Sequence, residues 1–140
     1  MFLSGGIDVT PLRSIIKYAT DKQLPIKIVM FDSNRDPDNI LFKKEFDDWT
    51  TLNKNLKIIY TVSEDKHDDN DQSNVRNGWK GEYGRINKTM ILKYLDNSLL
   101  DISIFYICGP PSMLKAMQSL LQEELKISKE RIRVEEFTGY

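Results

Sequence analysis

Short apolar runs rich in β-branched residues alternate along this chain with longer segments of helical spacing. The runs at Phe2–Ser4, Ile26–Asp32, Leu56–Val62, Ile102–Cys108 and Ile132–Val134 predict strands. Between them, apolar residues recur three and four apart. Leu12, Ile15, Ile16 and Ala19 share one helical face, and Phe42, Phe46 and Trp49 share a second. Met90, Ile91 and Tyr94 mark a shorter third, and a last stripe runs through Met113, Leu114, Met117, Leu120, Leu121 and Leu125. Thr10-Pro11 and Asp36-Pro37 each set a capping residue before a proline, and Asn87 stands where a cap for the third helix belongs. Alternating strands and helices imply parallel strands joined by right-handed crossovers, with helices on both faces. The pattern therefore predicts an α/β fold, a doubly wound parallel sheet of about five strands.

Composition narrows the classes of function. The 140 residues suit a single domain spanning 1–140, and 40% apolar with 29% charged residues is ordinary for a folded globular chain. Twenty Lys and Arg stand against 21 Asp and Glu, a net charge of −1. That balance speaks against nucleic acid or an anionic membrane surface as partner. A single cysteine excludes an internal disulfide framework and, with no signal peptide or membrane-length apolar run, leads to the expectation of a cytoplasmic protein. Two places break the rhythm. Residues 63–78 (SEDKHDDNDQSNVRNG) form a long acidic connection, either a surface loop or a flap on the ligand side, and its carboxylates and lone histidine read as solvated surface and not as a metal site. The first strand has only Phe2, Leu3 and Ser4 before glycine, shorter than the ~5–6 residues usual for a buried strand, which leads to the expectation of further chain upstream.

In an open parallel sheet, ligands bind beyond the carboxyl ends of the strands, and the unusual residues of this chain follow its strands. Gly5 and Gly6 open the segment Ser4–Pro11 ahead of the first helix. Glycines there let backbone approach a diphosphate beside the anion-attracting start of a helix, although a strand-to-helix turn needing positive φ accounts for them equally. Ser33, Asn34 and Arg35 follow the second strand, where an adenosine ribose is usually met; the same residues are common turn formers. Cys108-Gly109-Pro110-Pro111-Ser112-Met113 follows the fourth. Cys108 has no histidine or cation near it in sequence, so it reads as a small buried apolar group and not as a thiolate nucleophile.

Taken together, GGIDVTP, DSNRDPDNILFKKEF, WKGEYGRIN, CGPPSM and VEEF resemble, in order and spacing, the NAD(P)-binding domain of the ferredoxin–NADP reductase-like flavoprotein reductases, the family of oxygenase reductases and flavohaemoglobins. The resemblance covers almost the whole chain and implies a Rossmann-like nucleotide-binding domain. It places Gly5, Gly6, Asp8, Thr10 and Pro11 under the diphosphate and nicotinamide, and Ser33, Asn34, Arg35, Ser63 and Glu64 at the adenosine end. Cys108, Gly109, Pro110 and Met113 fall at the turn beside the nicotinamide, Glu135 near the hydride-transfer centre, and Phe137 against the flavin. Cys108 and Glu135 would orient the ring without acid or base chemistry. The implied cofactors are NADH or NADPH here and FAD or FMN on a domain outside this chain, which would be the C-terminal part of a longer reductase.

Two positions depart from the family pattern. Asp8 replaces a glycine, and a carboxylate ~5 Å from the diphosphate, at an effective dielectric between ~20 and ~80, would cost about 1–3 kcal/mol. Turned to solvent, or paired with a cation such as Arg35, it would cost little. Val62-Ser63-Glu64 sets a carboxylate where NADPH-specific members carry arginine, which favours NADH unless Arg35 or Lys43 compensates. The leading reading is a dinucleotide module that presents NAD(P)H to a flavin-binding domain, in the same polypeptide or in trans, for an electron acceptor that the sequence does not identify. The alternative is a regulatory or docking domain whose nucleotide affinity Asp8 has weakened.

Overall fold

The second strand is apolar almost without interruption because it is covered on both faces. In the computed structural model, which describes residues 1–63 and 78–136, Ile28 and Met30 point into one core and Val29 and Phe31 into the other. The strands are β1 (Phe2–Gly5), β2 (Ile28–Asn34), β3 (Leu56–Val62), β4 (Glu82–Tyr83), β5 (Phe105–Cys108) and β6 (Ile132–Glu135). They form one six-stranded parallel sheet in the order β4-β3-β2-β1-β5-β6. Helices α1 (Thr10–Asp21) and α2 (Lys43–Leu52) bury Leu12, Ile16, Ala19 and Phe46 against Phe2, Ile28 and Met30. On the opposite face α3 (Lys88–Tyr94), α4 (Asn97–Ile102) and α5 (Pro111–Ser119) bury Met90, Ile91, Leu100, Leu114 and Met117 against Leu3, Phe31 and Ile107. The doubly wound α/β architecture is thus present, with one strand more than expected.

The differences are local. β4 has no apolar run to announce it; two residues pair with Thr61 and Val62, steadied by the Trp79 indole N–H donating to the Glu82 carbonyl at 3.1 Å. The apolar run from Ile102 divides, Ile102 ending α4 and β5 starting at Phe105, because Asp96 caps a short helix that the three-and-four spacing did not reveal. Asp36-Pro37 caps an isolated 3-10 turn (Pro37–Asn39), with Asp36 accepting from the N–H groups of Asp38 and Asn39, and α2 begins only at Lys43. Thr10 is not the cap of α1. A 3-10 turn over Gly6–Val9 runs straight into that helix, and the Thr10 hydroxyl donates back to the Ile7 carbonyl. Asn87 does cap α3, accepting from the Met90 N–H at 2.9 Å. Ile15 lies on the predicted apolar face of α1 but at its margin, and is exposed.

Candidate functional site

The chain order of the strands reverses between β1 and β5, where neighbouring connections leave in opposite directions and open a crevice above the sheet. A cleft of about 820 Å³ lies there, a size suited to a nucleotide cofactor. Its floor and walls include Gly5, Gly6, Ile7 and Asp8 after β1; Ser33, Asn34 and Arg35 at the end of β2; and Ser63 after β3. Arg85 and Ile86 precede α3, and Pro110, Ser112 and Met113 open α5. The cleft crosses several strand ends at ~4.8 Å per strand, so it is elongated as a dinucleotide is.

The start of the first helix builds the middle of this cleft. Since the 3-10 turn and α1 are continuous, and the Asp8 N–H, three residues after Gly5, already closes the first bond of that turn, the N–H groups left without a helical partner belong to Gly6 and Ile7, both lining the cleft. Gly6 takes φ +61° and has open space where a side chain would stand, so its backbone conformation and not crowding calls for glycine. Gly5 has the opposite reason. A Cβ on it would collide with the Met113 Sδ, and a Cβ on Gly109 would lie 2.7 Å from the same sulfur. Met113 is therefore a wedge seated between the ends of β1 and β5, half-buried, with a face on the cleft.

Asp8 lies within the turn and is half-buried, and that partial burial raises its carboxyl above the usual carboxylate range. Its φ is not among the positive values, so the position accepts a side chain without strain. Among the other expected site residues, Thr10, Pro11, Cys108, Gly109 and Glu135 do not line the cleft. Cys108 is buried at the end of β5, register partner of Ser4 on one side and of Glu135 on the other. Burial, with the charges of Glu135 and Asp8, pushes its thiol up to about 11, so it is a neutral thiol. Glu135 is exposed at the end of β6. Glu64 and Phe137, and the histidine and all the other acidic residues of the long connection, lie outside the described residues.

Asp32 is the residue that the sequence reading passed over. β2 continues to Asn34, which places Asp32 inside the strand, 1% exposed. Its carboxylate accepts the Ser4 hydroxyl at 2.8 Å and the Asn34 amide at 3.0 Å. Burial pushes this carboxyl up to about 6 despite the opposing pull of those two hydrogen bonds. The signal was available as an aspartate closing a run of four apolar residues, Ile28, Val29, Met30 and Phe31. Arg85 and Ser112 were also unforeseen as cleft residues, although both lie within the quoted motifs.

The comparisons with known proteins agree with this geometry. The family model for the oxidoreductase NAD-binding domain matches residues 2–119. NADH-cytochrome b5 reductase 2 of Scheffersomyces stipitis is 36% identical over 117 residues, covering 82% of this chain and 36% of that protein. Inducible nitrate reductase [NADH] 2 of Glycine max is 28% identical over 123 residues, covering 86% of this chain and 13% of that protein. This chain thus spans well under half of either relative. Among solved structures, the flavohemoglobin of Malassezia yamatoensis with bound FAD and heme superposes with a TM-score of 0.74 at 22% identity, covering 97% of this chain and 30% of that one. That last likeness concerns the fold. With its parallel sheet, its glycine turn at the switch point and a family match over most of its length, the chain belongs to the oxidoreductase NAD-binding domain family, in the form found in ferredoxin–NADP reductase-like flavoprotein reductases.

Proposed function

We propose that this chain binds NADH across the cleft and presents its nicotinamide to a flavin held on a separate domain, within the same polypeptide or in trans. The observation that carries the reading is the pair of N–H groups at Gly6 and Ile7, which no helical bond uses, in the middle of a cleft that spans several strand ends at the switch point. These groups suit a diphosphate, and the polar residues at the end of β2 suit the adenosine ribose. Arg35 and Arg85 stand on that same side of the cleft. The nicotinamide supplies the hydride when bound, and the chain's part is to hold and orient it. Relatives named for NADH, and a solved relative with bound FAD, support NADH as donor and flavin as acceptor.

The same reading takes this chain as the nucleotide-binding part of a longer reductase whose final acceptor differs between relatives. Among the described residues no helix is long and apolar enough to cross a membrane. The weakened-affinity alternative rests on the Asp8 charge alone, whereas a family match over residues 2–119 and relatives named for NADH support nucleotide binding. A calorimetric titration of NADH into the purified chain tests the proposal. One-to-one binding with no consumption of NADH is the expected result, and absence of binding at millimolar nucleotide contradicts it.

A further inference from the structure

Buried carboxylates without a cationic partner are costly, and among the described residues Asp32 has none. Among the described residues its hydrogen-bond partners are two neutral donors: the Ser4 hydroxyl from β1 and the Asn34 carboxamide from its own strand. Asn34 lines the cleft, and its backbone carbonyl accepts from the Ser63 N–H at 2.9 Å, tying the ends of β2 and β3 together. In doubly wound folds an acidic residue near the end of the second strand commonly accepts the ribose 2′-hydroxyl itself. Here the carboxylate is sealed beneath the cleft at 1% exposure, and the next residue on the same face of the strand, Asn34, stands between it and the ligand's position.

That arrangement has a chemical consequence. A carboxylate only accepts, so it fixes which end of the Asn34 carboxamide turns inward: Nδ2 donates to Asp32. The acceptor oxygen is the end left for a ligand. A ribose 2′-hydroxyl can donate to that oxygen, whereas a 2′-phosphate brings only acceptors and negative charge against it. We propose that Asp32 is a positioning residue that selects between dinucleotides, holding the Asn34 amide inward so that the adenosine ribose meets an acceptor, which suits the 2′-hydroxyl of NADH and disfavours the 2′-phosphate of NADPH. The inference rests on the cleft being a dinucleotide site. The cations Arg35 and Arg85 draw a phosphate the other way, but their contribution is common to every variant below and cancels in the comparison.

The test is the ratio of dissociation constants for NADPH and NADH, measured by calorimetry at one ionic strength on the full chain. Asp32→Leu removes the inward acceptor and frees the carboxamide to turn; Asn34→Ala removes the carboxamide. Each lowers the ratio about threefold to tenfold, the worth of one hydrogen bond. The double variant lowers it no further, because Asp32 acts through Asn34. Ser4→Ala, which removes the other partner of Asp32, leaves the ratio unchanged. A role confined to holding the strands together would weaken both nucleotides alike and leave the ratio where it was. An unchanged ratio in Asn34→Ala overturns the proposal even if Asp32→Leu does not fold, as does a further fall in the double variant. If the native chain binds neither nucleotide, the dinucleotide reading fails as well; if both bind and the ratio is unmoved, only the role of Asp32 fails.

Discussion

Replacing Asp8 with asparagine should strengthen dinucleotide binding. The carboxylate stands among the N–H groups of the first helical turn, where a diphosphate would sit, and it is half-buried, so water screens it incompletely. At ~5 Å from one phosphate charge and an effective dielectric of ~20 to ~80, repulsion amounts to about 1–3 kcal/mol, on the order of 5- to 150-fold in affinity. Partial burial already raises the Asp8 carboxyl, and an anion alongside raises it further, so binding also draws a proton toward this group. Asparagine is the cleaner substitution, because the residue does not need positive φ and glycine would add backbone freedom worth ~0.5–1 kcal/mol. The assay is a titration of NADH into native and Asp8→Asn chains at low and at high salt. The affinity gap should be wide at low salt and narrow as the Debye length shrinks. Equal affinities at low salt would refute the reasoning and mean that the carboxylate turns away or is neutralised by a cation such as Arg35.

Three further outcomes follow from packing and charge. Gly5→Ala and Gly109→Ala should each displace the Met113 side chain, destabilise the chain by about 1–3 kcal/mol in urea unfolding, and be relieved when Met113→Ala is added, since both collide with one sulfur. Cys108 should resist a thiol reagent at pH 8 in the folded chain and react at once in urea, because burial and two nearby carboxylates hold its thiol near 11. Asp32 should make stability fall as pH rises. Its folded carboxyl, at about 6, binds a proton more tightly than an unfolded one near ~3.9, so the penalty is absent below about pH 4 and complete above about pH 6. Asp32→Asn should therefore raise the urea midpoint at pH 7.5, by up to about 3 kcal/mol of stability, and lose that advantage at pH 4.

What the sequence disclosed, and what it withheld, divides by the range of the interaction. β2 and the helix stripes are recorded in neighbouring residues, and so is the Asn87 cap, whose partner Met90 is three residues away. The cleft too was largely legible, because loops after parallel strands converge on one edge wherever the strands sit in the sheet. β4 was not legible, since Glu82 and Tyr83 are a strand only through pairing with Thr61 and Val62, some twenty residues distant. The packing reason for Gly5 lay out of reach for the same cause. A glycine before a helix suggests room for a diphosphate, but the space its Cβ would fill is taken by Met113, which folding brings from the far end of the chain. Asp32 was hidden by proximity to a turn. Ser33-Asn34 reads locally as loop, which made Asp32 the last residue of its predicted strand, and only the pairing of Ser33 and Asn34 with Gly5, Thr61 and Val62 carries β2 past it.

The chain's nucleotide site is tested most directly by amide NMR during a titration with NADH. The account predicts saturable shifts concentrated at Gly5–Asp8, Ser33–Arg35 and Ser112–Met113, the residues that fold around the cleft at the carboxyl ends of β1, β2 and β5. Shifts confined instead to the opposite ends of the strands, around Ile26–Ile28 and Ile102–Ile104, would contradict it, as would a spectrum that NADH leaves unchanged.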